Sequence, residues 1–360
     1  MSEKHDAHAR PPESLRQIFK TLRKCPPSEL PSLVDTWING RPEGETIRQV
    51  ADFPDGFDPS QCEEALQAFS QAVAHATSCC LPNIQSEATR PVFEIPSLPG
   101  LYLFAGLLTP QVQVALLERL LHRDLSNPTH NTNIDLHFKL HDLKHTALPS
   151  DGPKKGSNSF FSLDQKTVIA PHDASIHKPI TVRQLLDSKL RWVTLGGQYD
   201  WTNKIYPSEP PPRFPADIAT LMERLFPNVD AQAAIVNFYS PGDTLSVHRD
   251  VSEECDNGLI SASIGCDCIF MVGNQNGSSV SAIRLRSGDV LLMSGESRFA
   301  WHAVPKIIAD TCPSWLEDWP VLDQTGSGHD QGWQGWMRNK RINLNIRQMH
   351  QTRQRTGAGH

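Results

Sequence analysis

The chain has 360 residues, 38% hydrophobic and 21% charged, enough for about two domains and a sizeable core. It contains no run of about 18 apolar residues, which argues against a bilayer-spanning helix. Its 28 prolines argue against a helical bundle. The net charge of −6 speaks against a polyanionic partner, but the distribution points the other way: residues 138–206 hold ten Lys and Arg against six Asp and Glu, residues 336–360 hold six against none, and the remainder carries −16. Two basic segments in an acidic chain are what a phosphate-facing surface needs. Two solvated loops would give the same count.

The N-terminus, MSEKHDAHARPPESLRQIFK, lacks the apolar stretch of a secretory signal. It also mixes acids with bases, unlike a mitochondrial presequence, although RQIFKTLRK keeps that compartment open. The expectation is an intracellular protein of nucleus, cytoplasm or mitochondrion, monomeric and without a membrane partner. Residues 1–95 read as a separate, partly disordered extension with two helices, around SLRQIFKTLRK and CEEALQAFSQAVAHAT, and no chemistry of its own. The eight cysteines, at 25, 62, 79, 80, 255, 266, 268 and 312, form no CxxC and read as reduced thiols rather than a zinc site.

Residues 96–360 read as one domain that opens with the short apolar strand of LPGLYLFAGLL. Thr109 as N-cap and Pro110 at the first helical position start the helix PQVQVALLERLLHR, with Val112, Leu116, Leu117, Leu120 and Leu121 toward a core. A loop-rich basic stretch follows, containing PSDGPKKGSNS and RWVTLGGQYDWTNKIYP, and then the helix PADIATLMERLF. From about 232 to 350 the runs AAIVNFYS, LSVHRD, LISASIGCDCIFMVG, SAIRLR, DVLLMSG, FAWHAV and RINLNIRQ alternate with Gly-rich turns. Short, closely spaced strands beside helices give an α+β protein with a double-sheet jelly-roll core. A Trp-, Gly- and Asp-rich insertion separates Lys306 from Trp336.

The strands carry polar groups that a core does not need. His248 and Asp250 lie two apart, so on one strand both side chains share a face. His302 sits in the apolar run FAWHAV. RINLNIR puts Arg341, Asn343, Asn345 and Arg347 on a single face. Each feature alone is ordinary: a surface pair, a satisfied core histidine, the solvent face of an antiparallel strand. Together, two imidazoles and a carboxylate are the ligand set of the facial triad that binds non-haem Fe(II) with open positions. The usual co-substrate, 2-oxoglutarate, is a dicarboxylate whose far end needs a cation, and Arg341 is the candidate. Asn237, Tyr239 and Asn343 supply further hydrogen bonds.

At this point NFYSPGDTLSVHRD, SGESRFAWHAVP and RINLNIR resemble the N-x-Y…H-x-D…H…R-x-N-x-x-x-R signature of AlkB-type Fe(II)/2-oxoglutarate dioxygenases. LPGLYLFAGLLTP resembles the family's domain opening. RWVTLGGQYDWTNKIYP resembles its nucleotide-recognition segment, most like the eukaryotic AlkB homologue one subgroup. The resemblance covers about 98–349. It implies a double-stranded β-helix core (about 232–350) under a nucleotide-recognition lid (about 125–210). It implies iron on His248, Asp250 and His302, and 2-oxoglutarate on Asn237, Tyr239, Arg341, Asn343, Asn345 and Arg347, with Asn345 standing where the family often has Thr or Ser. Substrate contacts would fall to Trp192, Tyr199, Asp200 and Trp201, or those aromatics simply pack a hairpin. Ser252 stands where the bacterial prototype has an acid, so substrate choice does not transfer from that enzyme. The implied reaction consumes O2 and 2-oxoglutarate and demethylates N-methylated bases in tRNA or DNA, methyladenine favoured, releasing formaldehyde, succinate and CO2. A dioxygenase acting on protein or a small molecule, and a non-catalytic jelly-roll binding module, are the competing readings.

Overall fold

A computed structural model describes residues 6–29, 33–34, 47–50, 53–71, 81–82, 91–146, 159–322 and 330–351. The end of the second N-terminal helix, the Lys154–Lys155 loop, the middle of the Trp-rich insertion and Arg353 and Arg355 lie outside the described residues.

The described strand runs form two large sheets and a separate antiparallel pair, β5 (Val168–Ile169) with β6 (Ile180–Thr181). The larger has eight strands in the spatial order β2 (Arg48–Gln49), β3 (Val92–Glu94), β4 (Leu101–Phe104), β13 (Val290–Met293), β10 (Leu259–Gly265), β15 (Arg341–Arg347), β8 (Ala233–Tyr239) and β7 (Trp192–Gly196). The smaller has five: β1 (Leu33–Val34), β12 (Val280–Leu285), β11 (Cys268–Gly273), β14 (Trp301–Ile307) and β9 (Leu245–His248). All pairs but β1–β12 are antiparallel. This is the expected jelly roll with flanking helices. The helix start at Thr109 is also as read: its Oγ1 accepts the Val112 N–H at 3.2 Å, capping the helix Pro110–Leu117.

Three findings depart from the reading. LISASIGCDCIFMVG is not one run but β10 and β11, in different sheets. The chain turns at Gly265, whose φ is +96° and where a Cβ would lie 2.3 Å from the Lys340 carbonyl oxygen. A side chain has no room at that corner, and an L-residue would be strained there. Second, the described part of residues 1–95 does not stand apart. Helix α1 (Glu13–Lys24) packs on β9, β11 and β14, β2 extends the larger sheet, and α2 (Pro59–Gln71) packs on the helices Pro110–Leu117 and Ala216–Leu225. The cause is burial on both sides of the smaller sheet: Leu15 and Leu22 of α1 cluster with Ile269, Met271, Trp301 and Ala303. Third, the described part of the Trp-rich insertion contributes to the core. Trp319 and Trp333 are fully buried, edge-on to Phe161 at 5.3 and 5.2 Å, and the Trp333 indole donates to the Phe161 carbonyl at 2.9 Å.

Candidate active site

The register of β9 against β14 sets His248 directly opposite His302, their ring centroids 4.3 Å apart. Asp250 follows β9 by two residues instead of lying on the strand. Arg298 donates from Nη1 to the Asp250 carbonyl at 2.8 Å, which holds this segment outside the ladder. One ligand atom from each of His248, Asp250 and His302 lies within 4.8 Å of the others. Each imidazole donates its Nδ1–H to the carbonyl two residues before it, Ser246 at 2.9 Å and Ala300 at 3.1 Å. That fixes the tautomer and leaves both Nε2 lone pairs for a cation. Burial, aided by His248, pushes His302 down to about 4, so it is a neutral donor near pH 7. Burial acts upward on Asp250, but Arg347 and then the two imidazoles hold it well below the usual carboxylate range.

The polar face of β15 turns inward. Arg341, Asn343, Asn345 and Arg347 line the same cavity, about 540 Å³, as the three ligands. Arg341 is 1% exposed. Its Nη2 donates to Ser263 Oγ at 2.9 Å, while Nε and Nη1 have no partner. The Tyr239 ring lies 5.3 Å from this guanidinium and supports it from outside the cavity lining. Asn343 donates to Ser261 Oγ at 2.9 Å and to the Ala262 carbonyl at 3.0 Å, and its oxygen faces Asn237 Nδ2 at 3.5 Å. Asn345 Nδ2 and Arg347 Nη2 both reach Asp250 Oδ2, at 3.4 and 3.1 Å. Both side chains thus hold the carboxylate of the triad while also lining the cavity expected to take 2-oxoglutarate.

The residues expected to meet a substrate divide. Tyr199, Trp201 and Ser252 line the cavity. Tyr199 stands edge-on to Trp201 at 4.9 Å; its hydroxyl meets Ser252 Oγ at 3.2 Å, and Ser252 donates to the Lys204 carbonyl at 2.9 Å. Trp192 stays behind them on β7, opposite Asn237, and stacks on Trp201 at 5.2 Å. Asp200 turns away. It accepts from the Thr202 N–H, the Asn203 N–H and Asn203 Nδ2, at 2.8, 3.1 and 2.7 Å, and so shapes its own turn, as short polar side chains do beside such bends.

Residues 152–347 match the sequence model of the 2OG-Fe(II) oxygenase superfamily. The chain belongs to this superfamily. It is 43% identical to the N6-methyladenosine RNA demethylase ALKB1 of Pyricularia oryzae, over 96% of this chain and 97% of that one. It is 50% identical to the N6-methyladenosine RNA demethylase ALKBH of Cryphonectria parasitica, over 59% of this chain and 98% of that one. It is 40% identical to the tRNA demethylase abh1 of Schizosaccharomyces pombe, over 73% and 83%. Within the superfamily it is an AlkB-type enzyme of the ALKBH1 subgroup.

A 2OG-Fe(II) oxygenase must hold a ferrous ion and a dicarboxylate, and the residues present fit both. Two neutral nitrogens and one carboxylate suit the metal. The two unpartnered, buried donors of Arg341 suit a carboxylate, because a buried cation without an anion is costly. Several residues of this oxygenase site escaped the sequence reading. Ser261 and Ser263 alternate with Ala262 and Ile264 on β10, a pattern that carries no mark of a site. The Glu253 side chain is 1% exposed and takes Arg298 at 3.1 Å on one oxygen and Arg347 at 3.4 Å on the other, with the Tyr206 hydroxyl donating at 3.4 Å. Nothing local in SGESRF or SEECD marks that pair. Asp6, Ala7, Ala9, Arg10 and Pro11 also reach the cavity, and no sequence signal pointed there.

Proposed function

We propose that the protein demethylates N-methylated bases in nucleic acid, tRNA or DNA with methyladenine favoured, using Fe(II), 2-oxoglutarate and O2. The observation that carries the chemistry is the convergence of His248, Asp250 and His302 beside a buried Arg341 with two open donors. The substrate rests on the similarity to relatives named as RNA and tRNA demethylases, over 96% and 73% of this chain, and on the aromatic pair at the cavity, Tyr199 and Trp201.

When bound, the iron supplies oxygen activation coupled to 2-oxoglutarate decarboxylation, with one oxygen atom going to succinate and the other to the N-methyl group. The hydroxymethyl product then loses formaldehyde. The chain's own residues do the positioning. Arg341 takes the far carboxylate of the co-substrate, with Ser263 fixing the guanidinium. Asn345 and Arg347 orient Asp250. A base must leave its stack to reach the metal, at a cost of a few kcal/mol. Stacking on Tyr199 or Trp201, worth about 1–3 kcal/mol per base, offsets this. Both rings are pre-set, Trp201 by Trp192 and Tyr199 by Ser252. Enclosure by the lid excludes water from the oxidised methyl group.

The test is formaldehyde and succinate release across a panel of methylated tRNA and DNA oligonucleotides. Stoichiometric release from methyladenine-containing RNA or DNA is expected. Turnover confined to a methylated protein or small molecule would replace this substrate class.

A further inference from the structure

Among the residues that line the active-site cavity, only Asp6, Ala7, Ala9, Arg10 and Pro11 lie outside residues 152–347. The segment is held from several sides. The Ala9 N–H donates to the Asp6 carbonyl at 3.2 Å and the His8 N–H to Asp6 Oδ1 at 2.8 Å, closing a turn. Pro11 and Pro12 then restrict the chain as it enters α1, whose Leu15 is fully buried against the smaller sheet. Two cations pin the turn from the site itself. Lys204 Nζ donates to the Ala7 carbonyl at 3.0 Å, and Arg249 Nη2 to the Asp6 carbonyl at 3.3 Å.

Both anchors are parts of the active site. Lys204 belongs to the lid, with its own carbonyl held by Ser252. Arg249 stands between His248 and Asp250, and its guanidinium lies 4.5 Å over the Trp301 ring. The turn therefore bridges the lid and the strand that carries His248. It does so with the cavity still at about 540 Å³, within the range that encloses a small ligand, so substrate need not displace it.

We propose that the turn Asp6–Ala9 is a specificity-determining wall of the substrate subsite, with Ala7 as the residue that sets its clearance. This rests on the demethylase reading. The wall completes the enclosure begun by Tyr199 and Trp201 and limits the size of the N-alkyl group that reaches the iron.

Two full-length variants test it. Ala7→Trp adds bulk to the wall; KM for a methyladenine oligonucleotide should rise at least tenfold, with KM for 2-oxoglutarate within twofold of the parent. Lys204→Met unpins the wall; the rate on N-ethyladenine relative to N-methyladenine should rise at least threefold. Oligonucleotide KM and the ethyl-to-methyl ratio within twofold of the parent in both variants overturn the proposal. If Ala7→Trp melts early, the Lys204→Met ratio decides alone. Binding of the oligonucleotide to protein loaded with Mn(II) and 2-oxoglutarate, which does not turn over, separates the two levels. A parent that binds no methylated oligonucleotide overturns the substrate reading and the wall with it. A parent that binds, with Ala7→Trp binding equally well, overturns the wall alone.

Discussion

His248 and Arg341 carry different tasks, and their loss should be distinguishable. His248 is half-buried and its side chain packs mainly on His302, so His248→Ala removes a donor without opening the core. We expect 2-oxoglutarate turnover to vanish, Fe(II) binding to weaken and the melting curve to stay in place; a fully active variant would remove this residue from the metal set. Arg341→Ala leaves the far carboxylate of the co-substrate without its cation. Hydrogen bonds to charged groups are worth about 1.5–3 kcal/mol, so KM for 2-oxoglutarate should rise about 10- to 100-fold, as initial-rate kinetics would show. An unchanged KM would mean that another cation anchors the co-substrate. The sequence marks these residues because buried strands tolerate polar side chains only when something pairs them. It does not mark Glu253 and Arg298, whose mutual burial depends on two loops meeting across the site.

At the scale of elements, α1 and the β12–β13 corner carry testable energetics. Leu15 is fully buried in the smaller core cluster. Leu15→Ala should cost about 2–5 kcal/mol in denaturant unfolding, or undock α1 and the N-terminal wall with it. A loss under 1 kcal/mol together with unchanged substrate KM would mean that α1 is dispensable. Asp289 accepts N–H bonds from Gly106 at 2.7 Å and Arg286 at 2.8 Å, tying the corner to the loop after β4. Burial nevertheless pushes this carboxyl up to about 7. The folded chain then keeps a proton that the unfolded chain has already released. Its contribution is complete below about pH 4 and is lost as pH rises through about 7. Unfolding free energy should therefore decline from pH 4 to 7 by a few kcal/mol more in the parent than in Asp289→Asn. Parallel pH profiles would place the carboxyl in its ordinary range.

For the whole molecule, charge decides how nucleic acid is met. The described bases of the C-terminal run do not form one phosphate-facing surface. Arg341 and Arg347 face the cavity, and Arg338 pairs with Glu317 at 3.0 Å. The middle segment does expose Lys139, Lys166, Lys178, Arg183, Lys189 and Arg191. If about four phosphates are contacted, oligonucleotide affinity should fall about 100-fold between 50 and 200 mM salt. A flat salt dependence, read by fluorescence anisotropy, would exclude a polyanion track and favour a small substrate. The sequence by itself determined most of the strands and pointed to the proposed ligand types and the proposed cationic anchor, since period-two alternation and coordination chemistry are local properties. Only the tertiary structure decided that Asp250 leaves its strand, that Asn345 and Arg347 serve that carboxylate, that Asp200 turns away, and that residues 6–11 reach the active site. Each of these depends on contacts between segments far apart in the chain, whose register and docking are fixed by burial and close packing, and a linear pattern does not encode them legibly.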